Sequence, residues 1–342
     1  MVNWDNWLQK QWYRWTGWHF LLIPVSLLFW FVSAVRRLFY RIKLLRSIRL
    51  PLPVIVVGNI SVGGTGKTPF VLWLVSYLQQ QGWHPAIISR GYGGNATSAL
   101  PVSAHSDPCI VGDEPVLLAR RSGCPVWIGK NRVAVAQALL EAHPECNVLV
   151  SDDGLQHYRL QRDVEIALVD GARQFGNAML LPAGPLREGI GRLYTLDAVV
   201  VNRNGGESGT ITDTGHEYRM QLLGRVFYNL QHPEQQIEVQ ALQGKRLHAI
   251  AGIGNPSRFF EHLRHMGLVI VAHAFPDHHA YTIDELSFLD ADAILMTEKD
   301  AVKCAHLDVK NAWVLAVEAK VDAQLGKKIL DKLRSSHGSK VT

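Results

Sequence analysis

Ser61-Val62-Gly63-Gly64-Thr65-Gly66-Lys67-Thr68 sets small residues, one lysine and one hydroxyl at the spacing of a phosphate-binding loop. Such a loop turns backbone N–H groups toward a polyphosphate, the helix that follows adds its positive end, the lysine neutralises phosphate charge and the hydroxyl ligates Mg²⁺. Ser61 stands where the usual pattern has glycine, and Gly63 and Gly64 supply flexibility beside it. The competing reading is a bare structural turn.

A magnesium ion on the nucleotide needs a carboxylate fixed at the end of a buried strand. Asn147-Val148-Leu149-Val150-Ser151-Asp152-Asp153 offers one, so Thr68, Asp152 and Asp153 are the metal candidates. Gln156 is expected to reach the same metal shell or the γ-phosphate. An acidic turn after a strand is common in isolation; the neighbouring phosphate loop gives this one its functional weight.

Phosphoryl transfer to an alcohol also needs a group that orients or deprotonates the hydroxyl. Asp113, in Val111-Gly112-Asp113-Glu114-Pro115, and the cluster Asp277-His278-His279 are the candidates, because carboxylate and imidazole can share a proton. Asp113 also reads as a helix cap ahead of Glu114-Pro115. The adjacent side chains of the histidine cluster diverge too far for a good metal site. Two loops, Ser89-Arg90-Gly91-Tyr92-Gly93-Gly94 and Pro182-Ala183-Gly184-Pro185-Leu186-Arg187-Glu188, pair arginine with glycine, the residues that grip phosphate and let it approach. Gly252-Ile253-Gly254 lacks the third glycine of a dinucleotide fingerprint and an acid near position 272, and is set aside.

The elements that must hold these residues follow from apolar patterning. Pro53–Val57 is a short β-branched run before Gly58-Asn59, and Phe70, Val71, Leu74, Val75 and Leu78 then recur at helical spacing with Gly82 past the end. Further apolar runs at 86–88, 146–150, 164–169 and 198–201 alternate with segments that can hold helices. The expected fold class is α/β: a P-loop type, mostly parallel sheet flanked by helices. Composition changes near the glycine-rich stretch at 204–209, followed by strand-like stretches at 218–230 and 236–242 and a new αβ unit from Leu247. The expected organisation is an N-terminal hydrophobic and basic helical segment over 1–50, a P-loop core over 51–215, a β-connection over 216–245 and a smaller α/β domain over 246–335 that completes the cleft.

Composition narrows the setting. The chain has 342 residues, 47% hydrophobic and 19% charged, which suits globular domains and leaves disorder to the termini, chiefly 335–342. Net charge is +5, and Arg36, Arg37, Arg41, Lys43, Arg46 and Arg49 follow an uncharged run from Trp18 to Val35. Trp4, Trp7, Trp12, Trp15 and Trp18 precede or open that run, which reads as a helix in or at a bilayer with its basic flank on anionic headgroups. A buried core helix is the alternative, and nucleic acid is not expected as a partner. The basic residues follow the apolar stretch, unlike a cleaved signal peptide. Cys109, Cys124, Cys146 and Cys304 lack metal-site spacing and read as reduced thiols.

GNISVGGTGKTP (58–69), SRGYGG (89–94), VGDEP (111–115), SDDGLQH (151–157), LPAGPLRE (181–188), AGIGNP (251–256) and FPDHHAY (275–281) together resemble, in order over most of the chain, the tetraacyldisaccharide 4'-kinases of lipid A synthesis. The resemblance implies transfer of the ATP γ-phosphate to the 4'-hydroxyl of a tetraacylated disaccharide 1-phosphate, giving lipid IVA, at the cytoplasmic face of a Gram-negative inner membrane. It implies ATP and Mg²⁺ as cofactors, a lipid disaccharide substrate, a membrane surface as partner and no obligate protein partner. It also assigns catalysis to Asp113 and His278 with Lys67, metal binding to Thr68, Asp152 and Asp153 with Gln156 beside them, and cleft positions to Arg90, Tyr92, Arg132, Arg187 and Glu188. The choice of His278 over His279 rests on the family's Asp-His pair. The rival class is a membrane-associated regulatory GTPase or metallochaperone; Thr297-Glu298-Lys299-Asp300 has the residue types of a guanine-reading element at the wrong spacing.

Overall fold

The structure, a computed structural model, describes residues 11–13, 16–96, 98–203 and 209–338. Trp4, Trp7 and Trp15, the loop reading at 204–208 and the end of the chain past 338 lie outside the described residues.

An apolar helix, α1 (Trp18–Arg41), leads into β1 (Val54–Gly58), whose residues are all buried. The phosphate loop follows, then α2 (Lys67–Gln80), which buries Phe70, Val71, Leu74, Val75 and Leu78 at the spacing of one helix face. The chain continues through β2 (Pro85–Ser89), β3 (Leu100–Val102), α3 (Pro108–Val111), α4 (Asp113–Ser122), β4 (Val126–Ile128), α5 (Arg132–Ala142), β5 (Val148–Asp152), β6 (Val164–Asp170) and β7 (Ala198–Asn202). Next come β8 (Glu217–Leu223), β9 (Val226–Asn229), β10 (Gln236–Glu238), β11 (Leu247–Ala251), α6 (Pro256–His265), β12 (Ile270–Ala274), β13 (Ala293–Thr297), α7 (Glu298–Cys304), β14 (Ala312–Leu315), β15 (Glu318–Val321) and α8 (Ala323–Gly338).

Two sheets result. A nine-stranded sheet runs β15-β8-β7-β6-β1-β5-β2-β4-β3, antiparallel only at its two ends, and a six-stranded sheet runs β10-β9-β14-β13-β11-β12. Fully buried Val, Ile and Leu in β1, β5, β6 and β7 reflect helical cover on both faces. Parallel strands with right-handed crossovers gather their carboxyl ends on one edge, where open α/β sheets bind ligands.

The expected partition needs two corrections. The stretch 218–230 is two strands in different sheets, because Gly224 breaks it between β8 and β9. The C-terminal part of the expected 246–335 domain is also divided: β15 pairs with β8 at the edge of the first sheet, and Leu325, Ile329 and Leu333 of α8 pack into the first core beside Leu74 and Leu78. The second unit is therefore an insertion, entered between β8 and β9 and left between β14 and β15.

Among the described residues α1 alone is long and apolar enough to cross a membrane. Phe20, Leu21, Leu28 and Phe31 are among its exposed side chains, which disfavours the core-helix alternative. Its inward face is held by Ser26, whose Oγ donates to the Leu180 carbonyl and accepts from the Ala183 N–H. The helix runs on past Val35, so Arg36, Arg37 and Arg41 lie on its last turns. Trp12 departs from the headgroup reading: it is 7% exposed and its Nε1–H donates to the Pro182 carbonyl. The structure holds Cys109, Cys124, Cys146 and Cys304 as free cysteines.

Candidate active site

The phosphate loop leaves the carboxyl end of β1 at the centre of the first sheet. Gly63 and Gly66 have φ of 111° and 89°, a left-handed backbone that suits glycine. A Cβ on Gly66 would stand 2.6 Å from Asn202 Nδ2, and that amide donates to the Thr65 carbonyl at 3.1 Å. The loop is thus fixed from the end of β7, and Arg258 Nη2 in turn donates to Asn202 Oδ1 at 2.7 Å. On the other side, the Val62 N–H donates to the Pro185 carbonyl and the Arg187 N–H to the Ile60 carbonyl. The LPAGPLRE segment is therefore a strap along the phosphate loop.

Register places the acids. Val57 pairs with Asp152, so Asp152 ends its strand level with the start of the loop. Its Oδ2 accepts from Ser89 Oγ at 3.2 Å, and its buried Oδ1 has no partner. Burial, and next the charge of Glu114, push the Asp152 carboxyl above its usual range against the pull of Lys67. An unpartnered buried carboxylate oxygen suits a hard cation that takes one or two protein oxygens and fills its shell with phosphate and water. Asp153, at φ 48°, turns the other way. It lies 3.2 Å from Lys67 Nζ and 3.1 Å from Arg187 Nη1, and although burial opposes it, these cations hold its carboxyl well below the usual range. Lys67 also donates to Asn59 Oδ1 at 3.3 Å.

The second sheet aims its carboxyl ends at the same cleft. β12 leads to Asp277 and His278, β13 leads to Lys299, and the turn after β11 brings Gly254 against the loop, where a Cβ would meet the Gly64 nitrogen at 3.2 Å. His278, held at φ 59°, places Nδ1 3.0 Å from Asp113 Oδ2. His279 points elsewhere, bonding Glu285 at 3.1 Å, so the geometry selects His278. Asp113 is the first residue of α4 and 3% exposed; its Oδ1 accepts from the Glu114 N–H, so a local helix-start role coexists with the contact to His278. Tyr92 sets its ring 5.4 Å from that of His278.

Lys299 was read in the sequence only as part of a failed guanine element. Its Nζ lies 3.2 Å from Glu114, 3.1 Å from Asp277 and 3.8 Å from Asp113. Burial opposes its charge, yet these three carboxylates hold the ammonium well above its ordinary range. The next residue, Asp300, is fully buried against Tyr281 and Lys303, so this segment builds the second unit and reads no base.

Three expected site residues, two from the cleft set and one from beside the metal, face inward. Arg132 is buried and donates to the carbonyls of Gly129 and Asp152. Gln156 donates to the Asn59 carbonyl and to Glu188 rather than reaching toward a metal shell. Glu188, also buried, accepts from Gln156 and Tyr158 and lies 3.7 Å from Arg37. The family resemblance assigns these residues to the site, and it does not say which way a side chain turns. Arg90 and Tyr92 are exposed at the mouth.

Residues 18–334 match the family described as Tetraacyldisaccharide-1-P 4'-kinase. The chain belongs to that family. It is 51% identical over 331 residues to the tetraacyldisaccharide 4'-kinase of Methylobacillus flagellatus, covering 97% of each chain. It is also 51% identical over 319 residues to that of Azoarcus sp., covering 93% of this chain and 92% of the relative. Among solved structures, LpxK from Aquifex aeolicus in complex with ATP superposes with a TM-score of 0.79 at 29% identity, covering 92% of this chain and 99% of that one. Membership of a kinase family accounts for a phosphate loop, a buried strand-end carboxylate and an Asp-His pair in one cleft, and nothing favours the GTPase or metallochaperone alternative.

Proposed function

We propose that this chain transfers the γ-phosphate of ATP to the 4'-hydroxyl of a tetraacyldisaccharide 1-phosphate, giving lipid IVA, at the cytoplasmic face of a bacterial inner membrane. The observation that carries the reading is the convergence of Lys67, Asp152 and the Asp113–His278 pair between the carboxyl ends of two sheets. The backbone from Ser61 to Thr68 cradles the phosphates, and Lys67, released from Asp153 and Asn59, neutralises their charge. Thr68 and Asp152 would hold Mg²⁺, which supplies charge neutralisation on the transferred group when bound. Asp153, itself paired with Arg187, holds the lysine in place until the nucleotide binds.

Asp113 and His278 share one proton across their contact and accept the proton of the acceptor hydroxyl. The hydroxyl oxygen forms the new bond to phosphorus as the bond to the bridging oxygen of ADP breaks. Lys299 holds the ionised form of Asp113. Arg90, Tyr92 and Arg187 meet the anionic acceptor at the cleft mouth, while Arg132 and Glu188 act from beneath by fixing Asp152 and Gln156. The apolar outer face of α1 meets the bilayer in which a four-chained acceptor resides.

The test is a transfer assay with labelled ATP and the acceptor in detergent micelles. Labelled lipid is expected from the wild type, none from Lys67→Ala, and a rate lowered by roughly 10²–10⁴ for Asp113→Ala. An active Lys67→Ala variant, or no lipid product from the wild type, overturns the reading.

A further inference from the structure

A cavity of about 750 Å³ lies between the basic end of α1 and the first domain. Its charged walls are Arg37 and Arg41 from α1, Arg162 from the segment after β5, Glu165 from β6 and Arg192 from the 3-10 turn Ile190–Thr195, with Tyr158 at its side. Four guanidiniums thus face one lining carboxylate. Arg162 and Arg192 share that carboxylate and flank the Tyr158 ring at 5.2 and 5.9 Å. The Arg192 side chain is only 9% exposed, yet its Nε has no hydrogen-bond partner among the described residues. Arg37 has one long contact, to Glu188 at 3.7 Å, and Arg41 forms no ion pair among the described residues. Excess guanidinium charge with a buried, unused donor asks for an oxyanion with several acceptor oxygens.

The position of the cavity says which anion. On the same face of α1, about two to five turns earlier, Ile23, Leu27 and Trp30 line an apolar cavity of about 320 Å³ against Met179 and Leu180. The inward face of the helix therefore passes from apolar to cationic along its length, the order of an acyl chain and its phosphate. A relay of hydrogen bonds also links the cavity wall to the phosphate loop. Tyr158 donates to Glu188, Gln156 bridges Glu188 to the Asn59 carbonyl, and Lys67 donates to Asn59 Oδ1.

We propose that this cavity binds the phosphate of a membrane-embedded lipid, supplied either by the acceptor's own 1-phosphate or by an anionic lipid of the bilayer. The proposal rests on the kinase reading for its choice of acceptor and not for its geometry.

The experiment compares wild type, Arg41→Gln, Arg192→Gln and Arg192→Lys, each checked for an unchanged melting curve; Arg41 is exposed, so its variant stays informative if the Arg192 variants fail to fold. Lipid binding is measured without ATP, and KM and kcat with it, using acceptors with and without the 1-phosphate in neutral micelles and in micelles containing phosphatidylglycerol. If the acceptor supplies the anion, the glutamine variants weaken binding and raise KM about tenfold for the 1-phosphorylated acceptor, leave kcat within about twofold, and handle the acceptor lacking that phosphate like wild type; Arg192→Lys recovers part of the loss. If the bilayer supplies it, the loss appears with either acceptor and only in anionic micelles. Variants indistinguishable from wild type with both acceptors in both micelles overturn the proposal. Because binding is read without ATP, absence of transfer by the wild type counts against the kinase reading alone.

Discussion

His278 Nδ1 meets Asp113 Oδ2 at 3.0 Å across 165 residues of sequence, and each side chain displaces the other's titration. The hydrogen bond it donates to Asp113 raises His278 above the ordinary imidazole range, while His278 and Lys299 hold Asp113 below the carboxylate range although burial opposes them. A raised histidine stabilises the fold fully below its unfolded value of about 6.5 and loses that contribution as pH rises through its folded value. A depressed aspartate stabilises above its unfolded value of about 3.9 and loses this as pH falls through its folded value. Between those two unfolded values the pair ties the domains together most strongly. At higher pH the imidazole is free to accept a proton.

The acid limb of the kcat profile is therefore expected above pH ~6.5, set by His278. Asp113→Asn removes the cause of the shift, so the residual activity shows its limb at lower pH, nearer the ordinary imidazole value. A limb that stays in place in Asp113→Asn would show that another group controls it.

Lys299→Gln shifts the same limb in the opposite direction. The Lys299 charge lowers both Asp113 and His278, so its loss raises both. At pH 7 kcat/KM is expected to drop severalfold, because more of the enzyme then holds His278 protonated and unable to accept the hydroxyl proton. Recovery of rate at higher pH distinguishes this electrostatic effect from simple misfolding, which alkali would not repair.

Asp152→Asn separates stability from activity. Because the folded pKa of Asp152 is raised above its unfolded value, ionisation at neutral pH weighs against the metal-free fold, and the contribution present below the unfolded value is lost as pH rises through the folded one. The amide variant is expected to melt roughly 2 °C or more above wild type in chelator at pH 7, while transfer falls by at least about 10²-fold. Calorimetry and the transfer assay read the two effects; a lower melting point in chelator would contradict the burial argument.

The outward face of α1 sets membrane affinity. Replacing Leu21, Leu28 and Phe31, all more than half exposed, with Gln removes apolar surface worth about 1.5–3 kcal/mol per side chain if buried in lipid. Sedimentation with vesicles should weaken by about 10²-fold or more, with nucleotide binding retained. Unchanged sedimentation would place the bilayer contact elsewhere.

Legibility in the sequence followed range. Lys67, Thr68 and Asp152 were readable because phosphate loops and strand ends are local patterns, and β1, β5, β6 and β7 were readable because strands buried on both faces are continuously apolar. Asp113 and His278 were readable as types, but their contact depends on two sheets converging, and only the family resemblance joined them. Lys299 gave no local signal: its role exists only where α7 meets α4. Gln156 and Glu188 sit in recognisable motifs, and Arg132 is reached only through the family resemblance, yet all three turn inward, a choice made by packing. The return of β15 and α8 was hidden because Leu325, Ile329 and Leu333 pack against residues more than two hundred positions earlier.

That return has a consequence during synthesis. The nucleotide-binding sheet gains its last strand, and its core gains α8, only after the inserted unit has left the ribosome. A nascent chain halted between β8 and β15 carries an intact phosphate loop on an unfinished sheet, with Leu74 and Leu78 still lacking α8 and the edge of β8 bare for other strands to join.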